Sequence, residues 1–217
     1  MKKNISSSKI EYLSIEELRS VHSDLKIDIK KRLREFKDVK QDEYFYELAY
    51  CLLTPQSSAV NAGKAINELK NNSFHVKNVD PEPILNSKEH YIRFHKTKAK
   101  RLLEMKEKYS LIEEQFTKDS SGIEIREWLV NNIKGLGWKE ASHFLRNTGH
   151  KNLAILDRHI LRNLVRCKVL KELPKTLTTK EYFKIEKLFL AFSKEVGIPM
   201  DELDLVFWCM ATGKILK

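Results

Sequence analysis

The sequence predicts an all-α protein, and three observations carry that prediction. Seven glycines and five prolines in 217 residues are about half the usual share, too few for a sheet-and-turn architecture. Apolar residues recur every three or four positions in several stretches, as on one face of a helix. Capping-box patterns, Ser or Thr followed three residues later by Glu, precede two of these stretches. We expect one all-α body of two helical lobes over residues 1–217.

The first elements follow from a capping box and a proline. The run Ser14–Glu17 is a capping box, and the apolar stripe after it predicts one long helix. A second helix covers Tyr44–Leu53. Thr54 and Pro55 then predict the start of a third helix, with the threonine as N-cap and the proline at the first helical position. This third helix is expected to end near Leu69.

Loops, breaks and caps divide the rest of the chain into further helices. A loop at Asp80–Pro83 precedes a short helix, and a basic helix over Lys98–Tyr109 ends before a break at Ser120–Gly122. A helix from Ile123 to Ile133 is followed by a tight connection at Lys134–Gly137 and a helix from Trp138 to about Thr148. Asp157 opens a short helix, a second capping box at Thr178–Glu181 begins a helix that ends near Gly197, and a last helix over Asp201–Thr212 is closed by Gly213.

Charge and composition narrow the function. Forty basic against thirty acidic residues give a net charge of +10 and a pI near 9.4, which suggests a polyanionic partner, although solvated lysines alone produce the same balance. No stretch approaches the roughly 18 apolar residues of a transmembrane helix, and no secretory signal follows Met1. The three cysteines form no CxxC pair, so we expect three buried thiols in a reducing cytoplasm.

The most informative pattern is Gly135-Leu136-Gly137, between two predicted helices at about 123–148. Glycines permit a tight backbone with positive φ. The free N–H groups of such a hairpin, at the positive end of the next helix, suit a phosphate oxygen, and Leu136 is placed to anchor the hairpin in the core. This is the helix-hairpin-helix pattern of sequence-independent DNA binding. An ordinary short turn between helices would also contain Gly-x-Gly.

Lys139 and Asp157 add chemistry to this pattern. Lys139 lies in the first turn after the hairpin, where the positive helix end disfavours its protonated form. A neutral amine can attack a sugar carbon and form a Schiff base. Asp157 can stabilise positive charge developing on a sugar or help to deprotonate the amine. The simpler roles are a solvated lysine and a plain helix N-cap.

Together these residues resemble the helix-hairpin-helix DNA glycosylases of the endonuclease III superfamily. The pattern Gly135–Lys139 followed by Asp157 eighteen residues later matches theirs, and the run Leu52–Ser57 is similar to their early Gln-containing segment. The resemblance spans about residues 45–217 and implies an active-site cleft between two lobes. Iron–sulfur members of the superfamily need four closely spaced cysteines near the C-terminus, where this chain has only Cys209, so we expect no cluster.

Further runs resemble one branch, the compact and mostly archaeal 8-oxoguanine DNA glycosylase/AP lyase family. They are Tyr91–His95, Lys139–Asn147, Ala154–Leu161, and Trp208 with the short tail to Lys217. The resemblance implies an enzyme that flips 8-oxoguanine out of double-stranded DNA, excises it through a Lys139 Schiff base, and nicks the strand 3′ to the lesion by β-elimination. Asp157 would stabilise the oxocarbenium-like transition state. We expect no metal or cofactor, and an intracellular, nucleoid-associated monomer.

The same resemblance implies the residues that recognise the lesion. Lys217 would close over the flipped guanine with its terminal carboxylate at the Watson–Crick edge, and Trp208 would stack on the base. Arg93 and Phe94 would fill the gap left by extrusion or contact the orphaned base, and Gln56 would lie near the duplex. The simpler roles are a frayed tail for Lys217 and core packing for Trp208 and Phe94.

The hairpin glycines, Gly135 and Gly137, complete the predicted DNA-binding set. The basic residues Lys96, Lys98, Lys100 and Arg101 are candidates for phosphate contacts, and a solvated helix face explains them almost as well.

Two other functions share these features. A sister enzyme acting on oxidised pyrimidines would use Lys139 and Asp157 in the same roles, and activity on thymine glycol rather than 8-oxoguanine would reveal it. A noncatalytic helix-hairpin-helix module would use Lys139 only as a phosphate contact. Borohydride trapping separates that module from an enzyme, because only a Schiff base is reduced to a covalent adduct.

Overall fold

The computed structural model of the chain describes residues 11–215, and in that range it is built from helices without a strand. The predicted all-α class is therefore confirmed. Within that range, none of the helices is long and apolar enough to cross a membrane. The helices are α1 Ile15–Lys37, α2 Tyr44–Leu53, α3 Ala59–Asn71, α4 Glu82–Leu85, α5 His95–Glu107, α6 Tyr109–Thr117, α7 Gly122–Asn132, α8 Trp138–Asn147, α9 Arg158–Arg166, α10 Thr179–Val196 and α11 Met200–Thr212, with a 3₁₀ turn at Gln41–Glu43.

The chain forms two compact units, and the division falls within α1. We call residues 32–155 the hairpin unit, because they contain the Gly135–Gly137 connection. We call residues 11–31 and 156–215 the terminal unit, because they come from the two ends of the described chain.

In the hairpin unit, α2 is the central helix. It packs against α3, α5 and α8, and α8 packs in turn against α7. Eight of its ten residues are buried, which explains why its sequence is a nearly continuous apolar run. The structure places this helix at Tyr44–Leu53, as predicted. Burial of so much apolar surface makes α2 a substantial source of stability for this unit.

In the terminal unit, α9 and α10 both pack against α11. Phe189 of α10 stacks on Phe207 of α11, with ring centroids 5.9 Å apart. His22 of α1 lies 2.6 Å from the Glu202 carboxylate, which ties α1 to the same helix. The capping box that begins α1 is confirmed, because Ser14 Oγ accepts from the backbone N–H of Glu17 at 3.1 Å and the Glu17 carboxylate accepts from Ser14 N–H at 2.8 Å.

The predicted start of a third helix at Thr54 is wrong. Thr54 closes α2 instead, because its hydroxyl donates to the Cys51 carbonyl at 3.2 Å. Gln56 has a left-handed backbone, with φ of 56°, which no helix accommodates. The third helix starts later, with Ser58 as its N-cap. Gln56 therefore lies in an exposed turn rather than on a helix.

The basic segment also differs from expectation. It begins at His95, earlier than predicted, directly after Phe94, whose φ is 60°. A break at Lys108 separates it from α6, a helix that the sequence analysis did not predict. The three cysteines are free, but only Cys51 is buried, so the expectation of three buried thiols is wrong for Cys167 and Cys209, which are half-buried.

Candidate active site

The helix-hairpin-helix lies in the hairpin unit and consists of α7, residues 133–137 and α8. Leu136 is buried, and its N–H donates to the Ile133 carbonyl at 3.2 Å, so the leucine anchors the hairpin as predicted. Gly135 has φ of 96°, and a Cβ there would lie 2.6 Å from Arg101 Cδ. The positive φ therefore favours glycine at this position, and a larger residue would also displace the Arg101 side chain.

Glu140 connects the hairpin to the candidate nucleophile. Gly137 is the N-cap of α8 and has no side chain to accept from the first-turn N–H groups. The Glu140 carboxylate reaches back instead, accepting from Gly137 N–H at 3.2 Å through one oxygen and lying 3.4 Å from Lys139 Nζ through the other. The Lys139 side chain is 26% exposed. The Glu140 carboxylate is therefore both the cap of α8 and the anionic partner of Lys139.

A buried arginine, Arg126, supports the first turns of α8. Its guanidinium donates to Ser142 Oγ at 3.0 Å and lies over the Trp138 ring, 5.6 Å from the centroid. Trp138 directly precedes Lys139, so Arg126 fixes the backbone from which the amine projects. The sequence analysis missed this residue. Its position beside Ile125 and three residues before Leu129, on the apolar face of α7, is the signal that could have found it.

Two exposed turns carry the other predicted DNA contacts of this unit. We call residues 54–58 the Gln56 turn and residues 91–95 the Phe94 turn. Phe94 is 50% exposed, so its alternative role as a core residue is wrong, and the Arg93 guanidinium lies 4.9 Å from its ring centroid. The Arg93 backbone N–H donates to Ser57 Oγ at 3.1 Å. The structure thus brings Gln56, Arg93 and Phe94 onto two adjoining turns.

Lys98 is neither solvated nor placed to contact phosphate, so both predicted roles are wrong. It is 3% exposed, and its ammonium donates to the Leu53 and Pro55 carbonyls, each at 2.7 Å, and to Ser57 Oγ at 3.0 Å. Burial, together with the nearby charges of Arg101 and Lys139, lowers the pKa of Lys98 to about 8. The other three basic residues of that group, Lys96, Lys100 and Arg101, are exposed or half-buried and remain candidates.

Asp157 and Trp208 both lie in the terminal unit, where Asp157 begins α9 and His159 of the same helix contacts Trp208. Asp157 is the N-cap of α9, because its Oδ1 accepts from Ile160 N–H at 2.8 Å. Two residues later, the His159 ring meets Trp208 edge-on, with centroids 5.2 Å apart. Trp208 is half-buried, and its Nε1 has no hydrogen-bond partner among residues 11–215. Lys217 lies outside the described residues.

The comparison with family models decides the identity of the chain. The model described as 8-oxoguanine DNA glycosylase matches residues 29–198. The chain belongs to the 8-oxoguanine DNA glycosylase family. The matched range contains the hairpin, Lys139 and Asp157, so the family assignment rests on the region that holds the candidate catalytic residues.

Curated relatives and solved structures agree with this family. A protein of Fusobacterium nucleatum named 8-oxoguanine DNA glycosylase/AP lyase is 43% identical over an alignment covering 100% of both chains. One of the same name from Methanocaldococcus jannaschii is 37% identical, covering 94% of this chain and 97% of the relative.

The solved structure of the M. jannaschii 8-oxoguanine glycosylase/lyase with a 15mer DNA containing 8-oxoguanine gives a TM-score of 0.83, at 33% identity over 94% of this chain and 99% of that one. The 8-oxoguanine DNA glycosylase of Thermotoga maritima gives 0.82, at 32% identity over 94% of this chain and 98% of that one. Likeness at this level extends through nearly the whole length of this chain, so the family fold is not confined to the hairpin.

Proposed function

We propose that this chain is a bifunctional DNA repair enzyme that excises 8-oxoguanine from double-stranded DNA and cleaves the resulting abasic strand. The observation that carries the proposal is the 43% identity, over the full length of both chains, to a protein named 8-oxoguanine DNA glycosylase/AP lyase. The position of Lys139, in the first turn after the Gly135–Gly137 hairpin, supports the lyase part, because such a lyase needs an amine.

Lys139 is the proposed nucleophile. Its neutral Nζ attacks C1′ of the damaged nucleotide, and the bond from C1′ to the base breaks, so that the base leaves with the electron pair and takes up a proton. Ring opening gives the Schiff base. Loss of a C2′ proton then expels the 3′ phosphate by β-elimination. The Asp157 carboxylate stabilises the positive charge that develops on the sugar while the base departs.

The proposed DNA contacts divide by chemistry. The N–H groups at Gly135 and Gly137 bind backbone phosphate, a contact without sequence preference. The Glu140 carboxylate accepts from Gly137 N–H, so a phosphate must displace this carboxylate before it can accept from the same N–H group. On the two exposed turns, Arg93 and Phe94 fill the gap left by the flipped nucleotide or contact the orphaned base, and Gln56 lies near the duplex.

The flipped base has its own proposed partner. Trp208 stacks on the base, and aromatic stacking of this kind is worth roughly 1–3 kcal/mol. The role of Lys217 at the Watson–Crick edge remains a prediction from the sequence.

Base release and borohydride trapping on otherwise identical duplexes test this function. We expect release of 8-oxoguanine opposite cytosine and a covalent protein–DNA adduct after reduction. A preference for thymine glycol would identify an oxidised-pyrimidine enzyme instead. Binding to damaged DNA with neither release nor adduct would identify a noncatalytic DNA-binding module and overturn the proposal.

A further inference from the structure

Lys98 is a buried cation with a specific set of partners. Its ammonium donates to three oxygens, and all three belong to residues 53–57: the Leu53 carbonyl, the Pro55 carbonyl and Ser57 Oγ. A lysine that is 3% exposed loses its hydration, so these hydrogen bonds must replace it. Lys98 itself lies on α5, one turn after Phe94. It therefore joins α5 to the Gln56 turn from inside the hairpin unit.

Ser57 extends this connection to the second turn. Its Oγ accepts from the Arg93 backbone N–H at 3.1 Å as well as from Lys98, so a single hydroxyl is shared by both turns. Asn61 adds a second link, since its side-chain amide donates to the Tyr91 carbonyl at 3.3 Å.

Both turns hold a residue in a conformation that its side chain disfavours. Gln56 and Phe94 have φ of 56° and 60°, in the left-handed region that favours glycine. Neither Gln56 nor Phe94 is buried, so packing of their own side chains does not enforce the conformation. Such strain persists only where the surroundings fix the backbone, and it concentrates at functional sites. The hydrogen bonds of Lys98 and Ser57 fix the backbone of these turns from inside the hairpin unit.

We propose that Lys98 is a positioning residue, which holds the Gln56 turn and the Phe94 turn in the geometry that extrudes the damaged base. This inference rests on the proposed function for the DNA contacts of those turns. Lys98 is not an alternative nucleophile, because its nitrogen is enclosed by three acceptors and is shielded from solvent.

The arrangement makes extrusion depend on pH. The charged groups that face Lys98 are Arg101 of the same helix and Lys139 of α8, and both disfavour its charge. Above a pH of about 8 the amine becomes neutral and keeps two N–H groups for three acceptors. The charge-assisted hydrogen bonds to residues 53–57 then become weaker neutral ones, and we expect excision to weaken there.

Two variants and a matched control test the inference. Lys98→Met keeps the length of the side chain and removes the donors, and Ser57→Ala removes only the shared hydroxyl. Lys88→Met is the control, because Lys88 is exposed and loses the same charge. Single-turnover excision of 8-oxoguanine is compared with cleavage of a preformed abasic site, which has no base to extrude. Hydrogen–deuterium exchange of residues 54–58 and 91–95 is measured in parallel.

We expect Lys98→Met to slow excision by about tenfold or more, as for the loss of hydrogen bonds to a charged group, while abasic-site cleavage falls much less. Ser57→Ala should move the same ratio in the same direction by a smaller factor. Exchange should accelerate in both turns. Wild-type excision should decline above a pH of about 8, and the Lys98→Met variant should lack that decline.

Several results would overturn the inference. The inference is overturned if folded Lys98→Met has the same ratio of excision to abasic-site cleavage as Lys88→Met. It is also overturned if Lys98→Met loses both reactions equally, because that result indicates only a structural role. If Lys98→Met does not fold, an unchanged ratio and unchanged exchange in Ser57→Ala have the same meaning. If the wild-type chain shows neither excision nor cleavage, the proposed function is overturned. Hydrogen–deuterium exchange then tests only whether Lys98 fixes the backbone of the two turns.

Discussion

The starts of α8 and α9 show two ways to place a reactive group at a helix N-terminus. At α9 the proposed catalytic carboxylate is itself the cap, because Asp157 accepts from Ile160 N–H at 2.8 Å. At α8 the cap position is Gly137, and the capping carboxylate comes from Glu140, next to the proposed nucleophilic amine of Lys139. The two helix starts thus assign capping and chemistry to one residue in the first case and to two residues in the second.

This difference determines which substitutions are informative. At α9 a substitution of Asp157 by Asn retains an acceptor for the cap and removes only the charge. At α8 the amine can be replaced without touching the cap, and the Glu140 charge can be removed without touching the amine. The predictions for Lys139, Asp157 and Glu140 use these separations, and those for Thr178 and Lys98 compare them with a plain cap and a buried lysine.

The largest effect is expected for Lys139→Gln, because glutamine cannot form a Schiff base. Base release and borohydride trapping should fall to background while binding to damaged DNA is retained. Lys151→Gln, at an exposed position outside the proposed contacts, is the control and should behave as wild type. An adduct formed by the Lys139→Gln variant would show that another amine is the nucleophile.

Asp157→Asn should slow excision by about a hundredfold or more, because the neutral amide stabilises a developing cation poorly. Its free energy of unfolding should stay close to the wild-type value, since the cap is retained, whereas Asp157→Ala should lose about 1 kcal/mol.

Thr178→Ala separates capping from catalysis. Thr178 Oγ1 caps α10 by accepting from Glu181 N–H at 3.3 Å, so its loss should also cost about 1 kcal/mol without changing the rate of excision. An unchanged excision rate in Asp157→Asn would reduce Asp157 to a cap.

The buried lysine of α5, Lys98, predicts a pH effect on stability. Burial holds its pKa at about 8 in the folded chain, against an ordinary 10.5. Between these values the unfolded chain binds more protons than the folded chain, so this group makes stability rise with pH. The difference in unfolding free energy between wild type and Lys98→Met should increase by about 2 kcal/mol from pH 8 to pH 10. A flat difference in denaturant titrations would contradict the buried state of Lys98.

The smallest effect is expected for Glu140→Gln. The amide oxygen can still accept from Gly137 N–H, but Lys139 loses its anionic partner at 3.4 Å. Because Lys139 Nζ is then no longer held in this ion pair, the trapping rate should rise by about two- to fivefold, the factor expected for a partly exposed ion pair. Glu140→Ala, which also removes the capping bond, should lose part of this gain. Equal trapping rates in Glu140→Gln and wild type would limit Glu140 to capping.

Short sequence patterns correctly predicted several helix starts and the hairpin, because these features depend on neighbouring residues. The starts of α1, α8 and α9 followed from a capping box, a Gly-x-Gly connection and an N-cap, each of which acts within four residues. The placement of Leu136 in the core followed from its position between the two glycines. The hairpin and the candidate catalytic residues Lys139 and Asp157 could therefore be predicted from the sequence without any tertiary contact.

Tertiary partners decided the features that the sequence analysis missed. Lys98 looks like any other lysine of a basic helix, and its burial depends on carbonyls more than forty residues earlier in the chain. Thr54 can cap a following helix or close a preceding one, and only the backbone of Gln56 decides between them. Arg126 is buried because Trp138 and Ser142 of the next helix cover it.

Peptide mapping of the trapped adduct tests the central claim most directly. The wild-type chain is reduced with borohydride on a duplex containing 8-oxoguanine opposite cytosine, digested, and the residue that carries the sugar remnant is located by mass spectrometry. We predict the remnant on Lys139, in the first turn of α8. A remnant on Lys98 or on any other amine, or the absence of an adduct, would contradict the account.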